Sequence, residues 1–249
     1  MTGLVLESCE STSLIARERG VAGAPHGFWV SARTQTLGRG RMGRQWESLD
    51  GNLFLSIVLR PRPSGYWTWI PIASAWAVLE LLKGRWPELK LSLKWPNDIL
   101  LSDHKLAGIL CESVFKNQND GFVVLGLGLN VASAPQGLDQ KTAALSERVS
   151  GLGADDMCQV LDWLRHEGSR TMARAVERID SEGTAWIAPE FWRHAHYGVG
   201  SQVVWEESGI QKSGKVLELG AFGELVVDCA GQRVSLYSEE IRGFRSKDG

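Results

Sequence analysis

The sequence predicts an α/β (α+β) protein in two parts: a large domain over residues 1–196 that mixes strands and helices, and a small barrel-like β domain over residues 197–249. Two observations carry this. Up to about residue 192, apolar runs of strand length, such as Asn52-Leu53-Phe54-Leu55-Ser56-Ile57-Val58-Leu59, alternate with stretches of helical spacing, such as residues 71–86. Beyond Phe191-Trp192 the texture changes to short strands with close turns. The chain's 249 residues, 43% of them hydrophobic, are enough for one large core and a smaller one.

Composition narrows the function classes. A formal net charge of −2 and a pI near 6.2 give no global attraction to nucleic acid or to an anionic membrane. Cys9, Cys111, Cys158 and Cys229 are far apart and form no C-x-x-C pair, which argues against a zinc site or a disulfide framework and fits a reducing cytoplasm. The N-terminus has no basic region followed by an apolar run, and no apolar segment approaches the ~20 residues of a spanning helix, so neither export nor membrane insertion is expected.

Taken in order, residues 1–6 read as a short strand, and Glu10-Ser11-Thr12-Ser13 as the mouth of a helix holding Leu14, Ile15 and Ala16. One of Ser11 and Thr12 suffices as a cap, which leaves the other for a small polar ligand. Phe28-Trp29-Val30-Ser31-Ala32 is a strand running through Gln35 into Gly38-Arg39-Gly40-Arg41-Met42-Gly43-Arg44-Gln45-Trp46, a loop projecting from a sheet end. Its glycines permit inward-turned N–H groups and its guanidinium groups are permanently charged, a combination suited to phosphate or carboxylate. A solvated arginine-rich turn is the plain alternative. Repelling arginines and unordered glycines, with Met42 and Trp46 as the large apolar anchors, predict that this loop is mobile without ligand.

The run 52–59 is apolar on both faces, as a central strand should be. Pro61, Pro63, Ser64 and Gly65 mark a turn, and residues 71–86 place Ile72, Trp76, Leu79 and Leu82 on one helical face. In residues 91–112, Leu91, Leu93 and Trp95 alternate with Ser92 and Lys94, Pro96-Asn97-Asp98 interrupts the ladder, and after Ser102-Asp103-His104 a return strand starts at Lys105. This kinked hairpin can bring Lys94 and Lys105 together, with Asp98 able to hold Mg²⁺; equally, the lysines are exposed strand residues and Asp98 a turn former. Val123-Val124-Leu125-Gly126-Leu127-Gly128-Leu129-Asn130-Val131 has a leucine face and a face carrying Gly126, Gly128 and Asn130. Two strand glycines on one side imply something flat against bare backbone, a helix or a ligand. A short helix is expected over 141–148 and a longer one from Asp155 through Ile179 despite Gly168. His194-x-His196 reads as helix-end polarity, and the small domain's strands fall at 202–205, 215–219, 224–229 and 233–237.

Ser11-Thr12, the loop 38–46, Lys94-Trp95-Pro96-Asn97-Asp98, Lys105-Leu106-Ala107-Gly108-Ile109 and Gly126-Leu127-Gly128-Leu129-Asn130, in this order and spacing, resemble a biotin protein ligase. The resemblance implies a class II synthetase-like catalytic domain with a central mixed sheet flanked by helices, and an SH3-like C-terminal barrel. It implies activation of biotin by ATP with Mg²⁺ and transfer to a lysine of a biotin carboxyl carrier protein, in the monofunctional form without DNA binding, as a cytoplasmic monomer or homodimer. By the same resemblance Lys105, Arg41 and Arg39 are catalytic. Biotin would lie on Ser11, Thr12, Ser13, Gln35, Gly38, Arg39, Gly40, Arg41, Lys105, Gly108, Gly126 and Gly128. The adenylate would lie on Arg41, Arg44, Trp46, Asn97, Asn130 and Lys105, with Asp98 at the metal. Ser13 stands where the family usually has asparagine. Joining a carboxylate to the α-phosphate of ATP brings two anions together, so cations and oriented N–H donors are the groups the chemistry needs. The rival readings are a lipoate or other acyl-protein ligase, a nucleic-acid module using Arg39, Arg41 and Arg44, and a catalytically silent biotin sensor.

Overall fold

A computed structural model describes the chain except residues 63–64, 118–119, 139, 150–153, 208, 238–240 and 246–249. The predicted turn residues Pro63 and Ser64 thus lie outside the described residues. The large sheet has seven strands in the order β1-β2-β3-β7-β6-β5-β4. These are β1 (Gly3–Cys9), β2 (Phe28–Gln35), β3 (Leu53–Leu59), β4 (Leu91–Lys94), β5 (Asp98–Leu101), β6 (His104–Asn117) and β7 (Asp120–Leu129). The β1–β2 pair is parallel and the other ladders are antiparallel, so the sheet is mixed. A second, antiparallel sheet has the order β11-β10-β9-β8-β12: β8 (Gln202–Glu207), β9 (Ile210–Leu219), β10 (Leu225–Cys229), β11 (Gln232–Leu236) and β12 (Ile241–Arg245).

The two faces of the large sheet are covered unequally, and that inequality makes the site. The alternation read in the sequence sends Leu125, Leu127 and Leu129 of β7 and Leu53, Leu55, Ile57 and Leu59 of β3 into the main core, against helices α2 (Ile70–Arg85) and α4 (Ser169–Glu182). On the other face, α1 (Thr12–Val21) packs Ala16 against Val30, Val58, Phe122 and Val124. Gly20 permits this approach, since a Cβ there would stand 2.3 Å from the Phe122 ring. Further along the same face come Ser56 opposite Gly126 and Phe54 opposite Gly128. There α1 has ended, and the cleft opens.

Several expectations are corrected. The first strand runs on to Cys9 rather than stopping at Leu6. Helix α2 is buried nearly all round, with Ala73, Ser74, Ala77 and Val78 as inaccessible as Ile72 and Leu79, because helices and sheet enclose it. The return strand β6 starts at His104 and is much longer than its apolar pattern implied, because β7 pairs with it as far as Asn117. In place of a helix over 141–148 there is one short turn at Leu145–Glu147. The long helix starts at Ala154 as α3 (Ala154–Trp163) and passes through a wider turn at Leu164–Gly168 into α4, which ends at Gly183 with φ 75°. After it comes α5 (Ile187–His194), whose last residue places Nε2 3.1 Å from Glu80.

Candidate functional site

The cleft has a volume of about 730 Å³ and is lined by the mouth of α1, the loop after β2, the β4–β5 kink and the bare part of β3, β6 and β7. The site residues expected from the sequence line it with one exception: Gly38 does not. Gly38 is buried at the base of the loop, where a Cβ would stand 2.3 Å from the Trp46 carbonyl oxygen, so it serves the backbone crossing and not the cleft surface.

At one end lies a buried polar cluster. Neither Ser11 nor Thr12 caps α1 with its side chain. Gln35 does that work from β2: its Oε1 accepts the Thr12 backbone N–H at 2.8 Å and the Thr12 hydroxyl at 3.1 Å. Thr12 Oγ1 is also 2.8 Å from Ser56 Oγ, and Ser11 Oγ is 3.0 Å from Ser13 Oγ. Ser13, expected as a ligand contact, thus closes a hydroxyl pair. Ser56 is a cleft residue that sequence reasoning did not find, although it is the lone polar residue in an otherwise apolar central strand, and that interruption was the available signal. Gly126 beside it lines the cleft and is not crowded: a Cβ built there would make only ordinary contacts, the nearest being Leu110 Cβ and Ser56 Oγ at 3.6 Å.

The loop is a folded hairpin. Trp46 N–H donates to Gly38 O at 3.0 Å and Gly40 N–H to Arg44 O at 2.8 Å, Arg39 bridges to Gln45, and the chain turns through Met42 (φ 57°) and Gly43 (φ 73°). The charge repulsion that predicted a mobile loop is offset by partners the sequence did not reveal. Arg39 Nη1 is 3.0 Å from Glu112 Oε1 on β6, and Arg41 Nη1 donates to Asn97 Oδ1 at 2.8 Å. Asn97 Nδ2 in turn donates to Ile109 O. Met42, expected as an anchor, is 68% exposed, whereas Trp46 is seated. Its indole covers Gly128, where a Cβ would fall 2.4 Å from the ring, and lies beside Gly108, where a Cβ would stand 3.1 Å from it. The flat object on the second strand glycine is therefore this protein's own tryptophan.

Lys105 sits at the centre. Its backbone is held on both sides, the N–H by Lys141 O at 2.8 Å and the carbonyl by Ala143 N–H at 2.9 Å. Its Nζ is 2.8 Å from Asp98 Oδ1 and 5.4 Å from the centroid of the Trp46 ring. The Asp98 contact is ionic rather than a well-directed hydrogen bond, since the buried Oδ1 has no partner of good geometry. Two further buried atoms here have no hydrogen-bond partner: Trp46 Nε1 and Asn130 Oδ1, a donor and an acceptor on the cleft wall. Asn130 is otherwise fixed, its Nδ2 donating to Ala143 O at 3.1 Å. Arg39, Arg41, Arg44, Lys94 and Lys105 face only Glu47 and Asp98 among the charged lining residues. The cleft therefore attracts anions while offering neutral polar groups at its inner end. No group of three or more His, Cys, Asp or Glu that could hold a metal occurs among the described residues. No helix of the described residues is long and apolar enough to cross a membrane.

Residues 5–130 match the model of the Biotin/lipoate A/B protein ligase family. A biotin–[acetyl-CoA-carboxylase] ligase of Paracoccus denitrificans is 33% identical over 223 residues, covering 81% of this chain and 88% of that protein. A biotin–[acetyl-CoA-carboxylase] ligase of Mycobacterium tuberculosis is 30% identical over 254 residues, covering 97% and 88%. Among solved structures, the biotin protein ligase of Aquifex aeolicus in complex with biotin and ATP superposes with a TM-score of 0.74 over 97% of this chain and 98% of that one. At 21% identity that likeness is one of fold.

Proposed function

The chain belongs to the Biotin/lipoate A/B protein ligase family, and from that premise we propose that it is an ATP-dependent biotin protein ligase that acts on a biotin carboxyl carrier protein. The observation that carries this reading is the polarity of the cleft: buried hydroxyls and an amide at one end, bare backbone at Gly126, and five cations towards the other. A neutral heterocycle suits the first end and a carboxylate beside a triphosphate the second.

In the proposed reaction a carboxylate oxygen of biotin attacks the α-phosphorus of ATP. The bond to the β-phosphate oxygen breaks and pyrophosphate leaves. The amine of the carrier lysine then attacks the acyl carbon of biotinyl-5'-AMP, AMP leaves, and the amine's proton is lost to solvent. Ser11, Thr12, Ser13 and Gln35 hold the ring head, with Ser56 behind Thr12, and Gly126 gives the rings room. Gly128 and Gly108 act one step removed, by seating Trp46. Lys105, Arg39 and Arg41 stabilise charge where carboxylate and phosphate meet, because preorganised cations cost no reorganisation as the charge develops. Gly40, whose N–H is held by Arg44 O, lets the hairpin close so that Arg39 and Arg41 line the cleft, and Arg44, Trp46, Asn97 and Asn130 serve the nucleotide. The unpartnered acceptor of Asn130 and donor of Trp46 fit a base that carries both donors and acceptors.

Asp98 offers a single carboxylate, already neutralised by Lys105, so it suits Mg²⁺ that arrives on ATP phosphates with most of its ligands supplied by phosphate and water. Bound there, the ion would offset phosphate charge. Residues 1–196 form the catalytic domain and 197–249 a smaller one. The test is incubation with labelled biotin and Mg-ATP. Biotin-dependent pyrophosphate release and a retained adenylate are expected. Release driven by lipoate or octanoate but not biotin would move the protein to the acyl-ligase branch of its family, and retained biotin with no pyrophosphate would make it a sensor.

A further inference from the structure

The cleft accounts for the partners of Arg41 and Lys105, but Arg39 is held from outside it. Glu112 is absent from the cleft wall, yet it lies on the wall's own sheet: in β6 it shares a face with Gly108 and Leu110, both of which line the cleft. Its Oε1 is 3.0 Å from Arg39 Nη1, with side-chain exposures of 23% for the glutamate and 40% for the arginine. The glutamate is thus the fixed member and the guanidinium the one that faces solvent. A guanidinium carries five N–H donors in a rigid fork, so a carboxylate engaging Nη1 sets the orientation of the plane and leaves donors for a second anion. The backbone cooperates, because Arg39 also bridges to Gln45 across the hairpin and cannot follow its side chain away.

We propose that Glu112 is a positioning residue for adenylate formation: it locks the Arg39 fork against β6 so that the remaining N–H groups are aimed at the carboxylate and phosphate before either arrives. The role rests on the ligase reading and goes beyond it. A guanidinium preset in this way loses less side-chain freedom on binding, and an arginine on a glycine-rich hairpin without such a hold would have to be ordered by the ligand. The length of the carboxylate arm and its charge both matter. Asp at this position falls one methylene short, and Gln keeps a hydrogen-bond acceptor without the charge.

Glu112 is intermediate in exposure and sits in a long strand held by β7, so its variants are expected to fold. Two measurements on the full chain test the proposal. First, trypsin cleavage after Arg39 in the ligand-free protein should accelerate several-fold in E112A, while cleavage in the rest of the molecule stays as it was. Second, kcat/KM for ATP in biotin-dependent pyrophosphate exchange should fall about tenfold in E112A, the scale of a lost charge-assisted contact. E112Q should fall between E112A and wild type. In an R39A background E112A should add nothing, a non-additivity that general destabilisation does not produce. Unchanged cleavage, or a loss of activity that E112A inflicts equally with and without Arg39, would overturn the proposal. A wild-type protein inert towards biotin and ATP would instead remove the ligase reading, and the proteolysis would still decide whether Glu112 holds Arg39.

Discussion

At the scale of single residues, the pairing of Lys105 with Asp98 ties activity to stability. Both side chains are largely covered, at 22% and 12% exposure, so a variant that removes the lysine leaves a buried carboxylate without its cation. Lys105→Ala is expected to lower adenylate formation a hundredfold or more, as loss of one preorganised donor does (~10²–10³), and to cost about 1–3 kcal/mol in stability. Adding Asp98→Asn should restore the stability, measured by urea denaturation, without restoring single-turnover pyrophosphate release. Recovery of both would place the lysine's role in the scaffold. Cys111 gives a second prediction at this scale. Burial, with help from the adjacent Glu112 charge, pushes its thiol from 9.0 up to about 12. Below pH 9 the thiol is protonated whether the chain is folded or unfolded. Above that the unfolded chain gives up the proton first, so the stability this thiol confers declines as pH rises from 9 towards 12. In iodoacetamide labelling at about pH 8, exposed Cys158 should be modified well before half-buried Cys111, whose raised pKa leaves little thiolate; equal labelling rates by mass spectrometry would contradict this.

At the scale of elements, the hairpin and the glycine strand hold each other. Residues Gly38 and Gly40 let the hairpin close on itself, while Gly128 and Gly108 give its tryptophan a flat seat. Gly128→Val therefore cannot be accommodated without expelling the indole. Cleavage by trypsin after Arg39, Arg41 and Arg44 should become faster in the ligand-free variant, and nucleotide affinity measured by calorimetry should fall. A variant that kept the wild-type cleavage pattern would show that the backbone bonds and the arginine partners suffice without the ring. Much of this site was legible in the sequence because glycine, arginine and strand alternation are local signals. What the sequence could not show was which flat group lies on Gly128, since nothing local relates residue 46 to residue 128.

At the scale of the whole molecule, the second sheet is fastened to the first by indoles. Trp69 Nε1 donates to Ala221 O and Trp95 Nε1 to Gly223 O, both at 2.9 Å, and Trp95 is also part of the cleft wall. The turn that receives them is shaped by Gly223 at φ 78°, where a Cβ would press on Ile72 at 3.1 Å and Trp69 at 3.2 Å. Gly223→Ala is expected to destabilise the protein by about 1–2 kcal/mol from the left-handed backbone alone, with a further loss from the contact. Gly231→Ala, at φ 85° with no atom within 4 Å, is the control that bears only the backbone cost. Equal shifts in thermal midpoint for the two variants would mean that the turn yields at the junction.

The sequence by itself determined the strands of the large sheet, helices α1 and α2 and the helical run through α3 and α4, and many of the polar and glycine residues that line the cleft, because period, glycine placement and fixed charge are written in neighbouring positions; it missed β12 and the first half of β9, which carry no clear alternation. Tertiary structure alone decided the partners: Gln35 capping α1 in place of Ser11 or Thr12, Glu112 meeting Arg39, Asn97 meeting Arg41, Asp98 meeting Lys105, and Trp46 on Gly128. It also decided that α2 is enclosed and that Gly38 is turned away from the cleft. Each of those facts is a contact between strands or loops far apart in the chain. A residue's chemistry states which bonds it can make, and only the packing of the sheet states which neighbour is within about 3 Å to make one.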